Sequence, residues 1–513
     1  MRIKKSLRNV WVTIVFQIIS ILISFFTRQF FIVSLGTTYL GLNGLFDNVL
    51  SMLSLAELGF STAIMFFLFK PIAADDQPQI KVLMKYFKKV YTGVGIFVFI
   101  IGICIIPLLQ IFIKTNFAFK EVIIYYIVYL TATSITYLFS YKKTLLIAYQ
   151  DKYITSIITY SVFILLNLCQ VLILHFTNNY LLFLVAMLVF NIFEGVLVNF
   201  ITNKKYPFIK AKTKDVISKE QKTKIIKNVK ALFMHKIGGV VINGTDNLVI
   251  AAYVGLSQVG LYSNYYLIIN AINIITGQIF SGITASVGNL CATDNEKRIY
   301  EVYTIGLYIN AFIFIMSTII LWFIMSDFIR VWIGTEYVMG TAVVIIILVI
   351  FLINGMRRIT MAYRDSLGLY WYDRYKPIFE SIINLVISII LAKTIGIVGV
   401  FIGTLVSLIL TSFWVEPYVL YKYGFNIKLR EYFKKYAFYG VIGCACFAAV
   451  FFVNNLIYLK LSLGTLIIKG LLYSIIIIAV FILGTVRTAE FAGLKQIVFE
   501  MILHKKRINK ADE

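Results

Sequence analysis

What most constrains this chain is a run of apolar segments, each close to the roughly 20 residues a helix needs to cross a bilayer. They recur almost to the last residues, near 10–33, 42–69, 90–113, 122–141, 154–174, 181–202, 231–253, 260–286, 300–325, 339–356, 377–395, 400–420, 436–456 and 464–486. In hydrocarbon a segment must satisfy its backbone polar groups from within, which a helix does. With 60% of its 513 residues hydrophobic and 14% charged, the chain lies outside the range of water-soluble domains. The expected fold is an all-α polytopic membrane protein of about 14 transmembrane helices. A cleaved leader is not expected, because a leader has one short apolar core followed by a polar mature chain.

The net charge of +24 invites a nucleic-acid reading, but the placement of the basic residues argues otherwise. Of 48 lysines and arginines, 40 fall in alternate inter-span stretches, together with the two ends of the chain, while the intervening stretches hold five: Lys114, Lys120, Arg330, Lys393 and Lys460. That asymmetry is the positive-inside rule, with both termini cytoplasmic and an even number of spans. Acidic lipid headgroups of the inner leaflet are the expected partners of this charge, and no nucleic acid is expected. Five cysteines lie in or beside apolar runs, as packing residues. With three scattered histidines there is little from which to build a metal site, and no metal or cofactor is expected.

The one long polar stretch, NKKYPFIKAKTKDVISKEQKTKIIKNVK (203–230), marks a boundary. A shift of about 219 residues lays RNV (8–10) over KNV (227–229) and LGTTYLGL (35–42) over VGLSQVGL (254–261), pairing Gly36 with Gly255 and Gly41 with Gly260. With six spans between the copies, both enter the membrane from the same side, as parallel repeats. The expected organisation is an N-terminal six-helix lobe (1–204), a basic cytoplasmic linker (205–229), a C-terminal six-helix lobe (230–424), and two additional helices with a basic tail (425–513), the lobes related by a pseudo-twofold and facing across a central cleft.

The repeat carries a polar stripe. Gln17, Ser20, Ser24, Thr27 and Arg28 lie on one helical face of the first span, and the same offsets pick out Lys236, Gly239, Asn243, Asp246 and Asn247 in the seventh. The second span adds Asn43, Asp47, Ser51, Ser54, Glu57 and Ser61, and the eighth Asn270, Asn273, Gly277, Ser281 and Thr284. Polar stripes at membrane depth face protein or a water-filled cavity. The candidate cavity residues are therefore Arg28, Lys236, Gln17, Ser24, Asn243 and Asn247, with Asp47, Glu57 and Asp246 as candidate cation-coupling carboxylates. Blander readings stand beside these. Arg28 is about five residues, roughly 7 Å, from its helix end and is able to snorkel, as is Lys236. Ser, Asn and Gly stripes also serve helix packing alone, and Glu194 reads as one half of a structural pair.

Four segments carry a family resemblance: YLGLNGLFDNVLSMLSLAELGFSTAI (39–64), LFKPIAADDQPQIKVLMKYFKKVY (68–91), NGTDNLVIAAYVGLSQVGLYSNYYLI (243–268) and RDSLGLYWYDRYKPIFESIINLVISIILAKTIGIVGVFIGT (364–404). They resemble the polysaccharide transporter family, the Wzx-type oligosaccharide repeat-unit flippases of the multidrug, oligosaccharidyl-lipid and polysaccharide exporter superfamily. The likeness extends over most of the chain and is weakest in the linker and last two spans. It implies a V-shaped pair of six-helix lobes that moves a polyprenyl-diphosphate-linked oligosaccharide, carried on undecaprenyl diphosphate, from the inner to the outer leaflet of a bacterial plasma membrane by alternating access, for capsule or exopolysaccharide synthesis. It further implies basic cavity residues that hold the diphosphate, to which Arg28 and Lys236 correspond, a possible coupling cation (H+ or Na+), and a glycan polymerase and an initiating transferase as partners.

The charge logic agrees. A diphosphate diester carries about two negative charges, and an inside-negative potential is worth about 2.3 kcal/mol per charge per 100 mV, which favours outward movement. Two alternatives remain. A cation-coupled drug exporter of the same superfamily would share the fold but prefer an acidic cavity. A membrane polysaccharide polymerase or glycosyltransferase would need a sizeable outer loop bearing acid, base or metal-binding groups. The longest outer connection, SDFIRVWIGTEYVMG (326–340), is short and shows no nucleophile paired with a base, so no catalytic residue is expected.

Overall fold

Whether the apolar runs become separate hairpinned helices or longer bent ones depends on the residues between them. The computed structural model describes residues 2–53, 60–113, 117–211, 213, 215–226, 229, 244–293, 295–457, 459–496 and 499. Among these the regular structure is helical, without a strand. The helices are α1 (Arg2–Leu53), α2 (Phe60–Ala73), α3 (Gln77–Phe112), α4 (Phe119–Ala148), α5 (Lys152–Thr177), α6 (Tyr180–Lys205), α7 (Leu256–Thr293), α8 (Glu296–Trp332), α9 (Thr341–Met356), α10 (Arg358–Ser366), α11 (Lys376–Ile395), α12 (Ile397–Leu410), α13 (Ser412–Val419), α14 (Leu429–Leu456) and α15 (Leu463–Thr485). Eleven stretches of the described residues are long and apolar enough to cross a membrane. The protein is an all-helical, multi-pass membrane protein, consistent with about 14 spans.

The first two expected spans are joined by a bend rather than a loop. Helix α1 runs on through residue 36, where Gly36 takes φ 79° and ψ 178°, a conformation open to glycine because it has no Cβ. Its sequence equivalent, Gly255, takes φ 122° between a π-helical turn (Ile250–Val254) and α7. The next equivalent pair makes a close crossing. A Cβ on Gly41 would lie 2.0 Å from the Leu256 carbonyl oxygen, and one on Gly260 would lie 2.4 Å from the Thr37 carbonyl oxygen. Positions 37 and 256 are themselves equivalent, so the contact is reciprocal under the repeat. A glycine at each crossing point lets the two backbones touch in a membrane, where dispersion replaces the hydrophobic drive.

The described residues pack as two units, one of residues 1–263 and 392–400, the other of 264–391 and 401–513. This division by packing and the division by repeat fall at different places. In the first unit, α1 lies along α5, and α4 is held between α3 and α6. The described part of the lysine-rich linker does not stand away from these helices. Its apolar residues Ile225 and Val229, with Tyr206, Phe208, Ile209 and Ile217, close a cluster with Leu68, Ile80, Leu83, Phe87 and Leu145 on α2, α3 and α4.

In the second unit, α8 is central and touches α9, α10, α14 and α15. The tenth expected span, 339–356, is extended beyond its expected end: after a break at Arg357, between α9 and α10, the stretch runs on to Ser366. Asn310 of α8, fully buried, donates to the carbonyls of Gly355 (3.1 Å) and Met356 (3.0 Å) there. A freed carbonyl at such depth needs a protein donor. The break turns two adjacent arginines, Arg357 and Arg358, toward different surroundings.

Candidate functional site

In the first unit the structure brings Arg28 and Asp47 into one electrostatic neighbourhood with Tyr129. The two halves of α1 supply the charges, on either side of the Gly36 bend. Asp47 accepts a short hydrogen bond from the Tyr129 hydroxyl on one oxygen and a long one, 3.4 Å, from Asn43 on the other. Tyr180 donates to Asn43 at 3.3 Å, completing a chain from α6 through α1 to α4. Tyr129 and Tyr180 are buried, whereas Asp47 keeps an exposed surface. A carboxylate exposed within an apolar helix is the kind of group that lines a water-filled cavity rather than lipid.

Arg28 does not snorkel to its helix end. Its guanidinium donates to the Ser263 hydroxyl at 3.2 Å, which in turn donates to the carbonyl of Gly260 at 2.7 Å. Asp47 is near enough to be felt, yet the two form no direct ion pair. An arginine has five donors in a planar fork, and one neutral hydroxyl leaves most of that capacity unused.

The other candidates separate. Ser24 donates to the Ser20 carbonyl within its own helix at 2.8 Å, and Gln17 is half-buried. Along the same face Thr13 meets Ser156 at 3.1 Å and Phe16 stacks on Tyr160, so this part of the stripe packs on α5. Asp246 is half-buried, and the Asn247 side-chain oxygen is buried without a hydrogen-bond partner among the described residues. Lys236, Asn243 and Glu57 lie outside the described residues. Glu194 pairs with Lys143 at 2.7 Å and accepts from Thr159, a structural pair.

The second unit supplies a cation that sequence reasoning missed. Arg358 counts as a loop charge when the chain is read as spans and connections, but it stands on α10, within an apolar stretch of residues 341–366. Its guanidinium donates to Asn273 Oδ1 at 2.6 Å and to Thr276 Oγ1 at 2.8 Å, and lies 5.2 Å from the ring centre of Phe314. All three partners are neutral, and among the described residues Arg358 makes no ion pair. The available signal was Asn273 in the polar stripe of the eighth span.

Its neighbour Arg357 is held in the opposite way. Glu416 of α13, fully buried, accepts from Arg357 Nε at 2.8 Å and Nη2 at 2.6 Å, and from Lys376 Nζ at 2.6 Å. Arg364 stands 3.7 Å from the same carboxylate and bonds Asp373, while Lys376 also faces Glu380 at 3.3 Å. Three cations and three buried carboxylates close this network across α10, α11 and α13. A cluster so balanced is structural.

These features sit on a known architecture: the chain has the fold of transporters of the MOP superfamily. It is similar to the lipid II flippase MurJ in its inward closed conformation, with a TM-score of 0.67 at 14% identity over 93% of this chain and 99% of that one. An inward-facing MATE-family multidrug resistance transporter of the MOP superfamily gives 0.59 at 15% identity over 80% and 98%, and the Vibrio cholerae MATE transporter VcmN gives 0.56 at 13% over 83% and 98%. No family model and no curated protein matches the sequence.

Proposed function

We propose that this protein is a Wzx-type flippase that moves polyprenyl-diphosphate-linked oligosaccharide repeat units from the inner to the outer leaflet of a bacterial plasma membrane by alternating access, with both termini cytoplasmic, and serves capsule, exopolysaccharide or related glycan synthesis. The observation that carries the reading is the state of Arg28 and Arg358. Each is a permanent cation at membrane depth, in a different unit, held by neutral hydroxyls and amides with donors to spare. Both are half-buried, and among the described residues neither makes an ion pair, Asp47 lying near Arg28 without bonding it; a cation so placed is costly, and an anionic substrate relieves that cost on binding. Guanidinium forks match diphosphate oxygens, with charge-assisted bonds about twice as strong as neutral ones. A cationic drug would instead be repelled by either group, which disfavours the drug-exporter alternative. Similarity to a flippase for a lipid-linked substrate supports the same class.

Asp47 has a separate role in this reading. Exposed, and hydrogen-bonded by Tyr129 and Asn43, it is the carboxylate best placed to take a coupling H+ or Na+. A glycan polymerase and an initiating transferase are the partners expected for such a flippase.

The test uses cells in which the protein can be depleted, with the leaflet of the lipid-linked oligosaccharide read by an impermeant sugar-modifying reagent. Depletion should trap the intermediate in the protected leaflet, and wild type but not a stably inserted Arg28→Ala, Arg358→Ala double variant should release it. Unchanged accessibility on depletion refutes flipping. Accumulation of exposed, unpolymerised units would instead assign a polymerase.

A further inference from the structure

A second set of basic groups, away from Arg28, surrounds a pocket of about 550 Å³ where the linker folds back on α3, α4 and α6. Lys81, Lys85 and Lys88 come from α3, Lys142 from α4 and Lys210 from the linker, and no carboxylate side chain is among the residues lining the pocket. Lys142 is the informative one. It is 7% exposed, and its ammonium donates to the side-chain oxygens of Asn199 and, at 2.6 Å, Asn203. Lys88 and Lys210 are close enough to press like charge upon it. Lysine is almost never fully buried unless paired with an acid. Here two amide oxygens take its place, and more positive charge is gathered around it.

Lys85 ties the linker to this site by donating to the Thr213 carbonyl at 2.8 Å. Lys81, Lys88 and Lys210 make no ion pair among the described residues. Lys85, Lys88 and Lys210 are exposed, but with Lys81 and the buried Lys142 they line one concavity, and a ligand there need only be anionic to gain from each of them. Ammonium groups act as mobile point charges suited to tetrahedral oxyanions, and the pocket falls in the usual size range for small-molecule sites, beyond what one inorganic ion fills.

The geometry points to a binding site for an organic phosphate of two or more negative charges, distinct from the Arg28 and Arg358 positions. On the orientation proposed above this end faces the cytoplasm, so the shared chemistry has two sources: an anionic phospholipid headgroup of the inner leaflet or a soluble phosphorylated metabolite. Because linker residues form part of the wall, occupancy also fixes the linker against α3.

The experiment is binding by purified full-length protein. Inorganic pyrophosphate is titrated by calorimetry into protein in detergent, and retention of phosphatidic acid is read by native mass spectrometry from phosphatidylcholine nanodiscs containing it. The comparison protein is the Lys81→Gln, Lys88→Gln, Lys210→Gln variant, whose substitutions break no ion pair seen here, with Lys142→Gln as a second. Pyrophosphate binding that weakens at least tenfold in the triple variant assigns a soluble ligand. Phosphatidic acid retained by wild type and lost from the variant, without pyrophosphate binding, assigns the headgroup. No binding of either probe, or equal binding by wild type and a triple variant with unchanged melting temperature, overturns the site. None of these outcomes bears on flipping, which is scored separately.

Discussion

Arg357 and Arg358 are adjacent in sequence and opposite in circumstance. Arg357 is buried against Glu416 in a bidentate pair reinforced by Lys376. Arg358 lies on Asn273, Thr276 and the Phe314 ring, with no ion pair among the described residues. The same side chain is thus a brace in one position and an available cation in the next. Whether the protein itself neutralises a buried charge separates groups that hold the fold from groups that await a ligand. Among the described residues Arg28 bonds Ser263, with Asp47 nearby but not paired with it; in the proposed reading it falls on the side of Arg358, as do the pocket lysines.

The contrast is broken most directly at Glu416. Glu416→Gln leaves three cations facing a depleted set of acids, and removing one partner of a buried pair costs about 3–5 kcal/mol. The expected result is a large fall in melting temperature and in the yield of monodisperse protein by fluorescence-detected size exclusion. Replacing both partners, Arg357→Met with Glu416→Leu, should recover most of the loss. A full-length protein that melts normally with Glu416→Gln alone would mean that the network is not a brace.

Arg358→Ala should do the reverse. Hydrogen bonds to charged groups are each worth about 1.5–3 kcal/mol, so flipping should fall by about 10- to 100-fold, with the melting temperature nearly unchanged. Arg358→Lys should recover only part of the rate, having lost the fork. Asp47→Asn sharpens the reading further. It keeps a hydrogen bond to Tyr129 but takes no proton and brings no negative charge to a Na+, and reconstituted transport should lose its dependence on an imposed H+ gradient, or have its dependence on a Na+ gradient strongly weakened, while substrate binding persists. A variant with intact gradient dependence would remove Asp47 from coupling.

The smallest effect belongs to an exposed pair. Lys224 holds the Glu220 carboxyl below its ordinary value through a hydrogen bond. The stability this adds is therefore present above the unfolded-state value and lost as pH falls through the lower folded-state one. Solvent screens such a pair almost completely, and Glu220→Gln should leave the melting temperature within measurement error at neutral pH.

Most of the architecture was legible because its causes are local. Apolar length marks the membrane helices, and Gly36, Gly41, Gly255 and Gly260 betray the repeat because a bend and a backbone crossing each need a residue without a Cβ. The first-span stripe was legible only in part. Its period shows which residues share a face but not what covers it, and α5 covers Thr13 and Phe16 while Arg28 reaches Ser263. Reading spans and loops as separate classes also hid Arg358, since a short polar helix continuing an apolar one looks like a connection.

The sequence by itself determined that this chain is a helical membrane protein with an internal repeat, and it named Arg28 and Asp47 as charges out of place. Tertiary structure alone decided which charges are answered. Glu416 meets Arg357 from a distant helix, the linker folds back to bring Lys210 toward Lys142, and among the described residues Arg358 meets neutral groups. Periodicity is a property of one helix, whereas neutralising a charge takes a partner that only packing delivers.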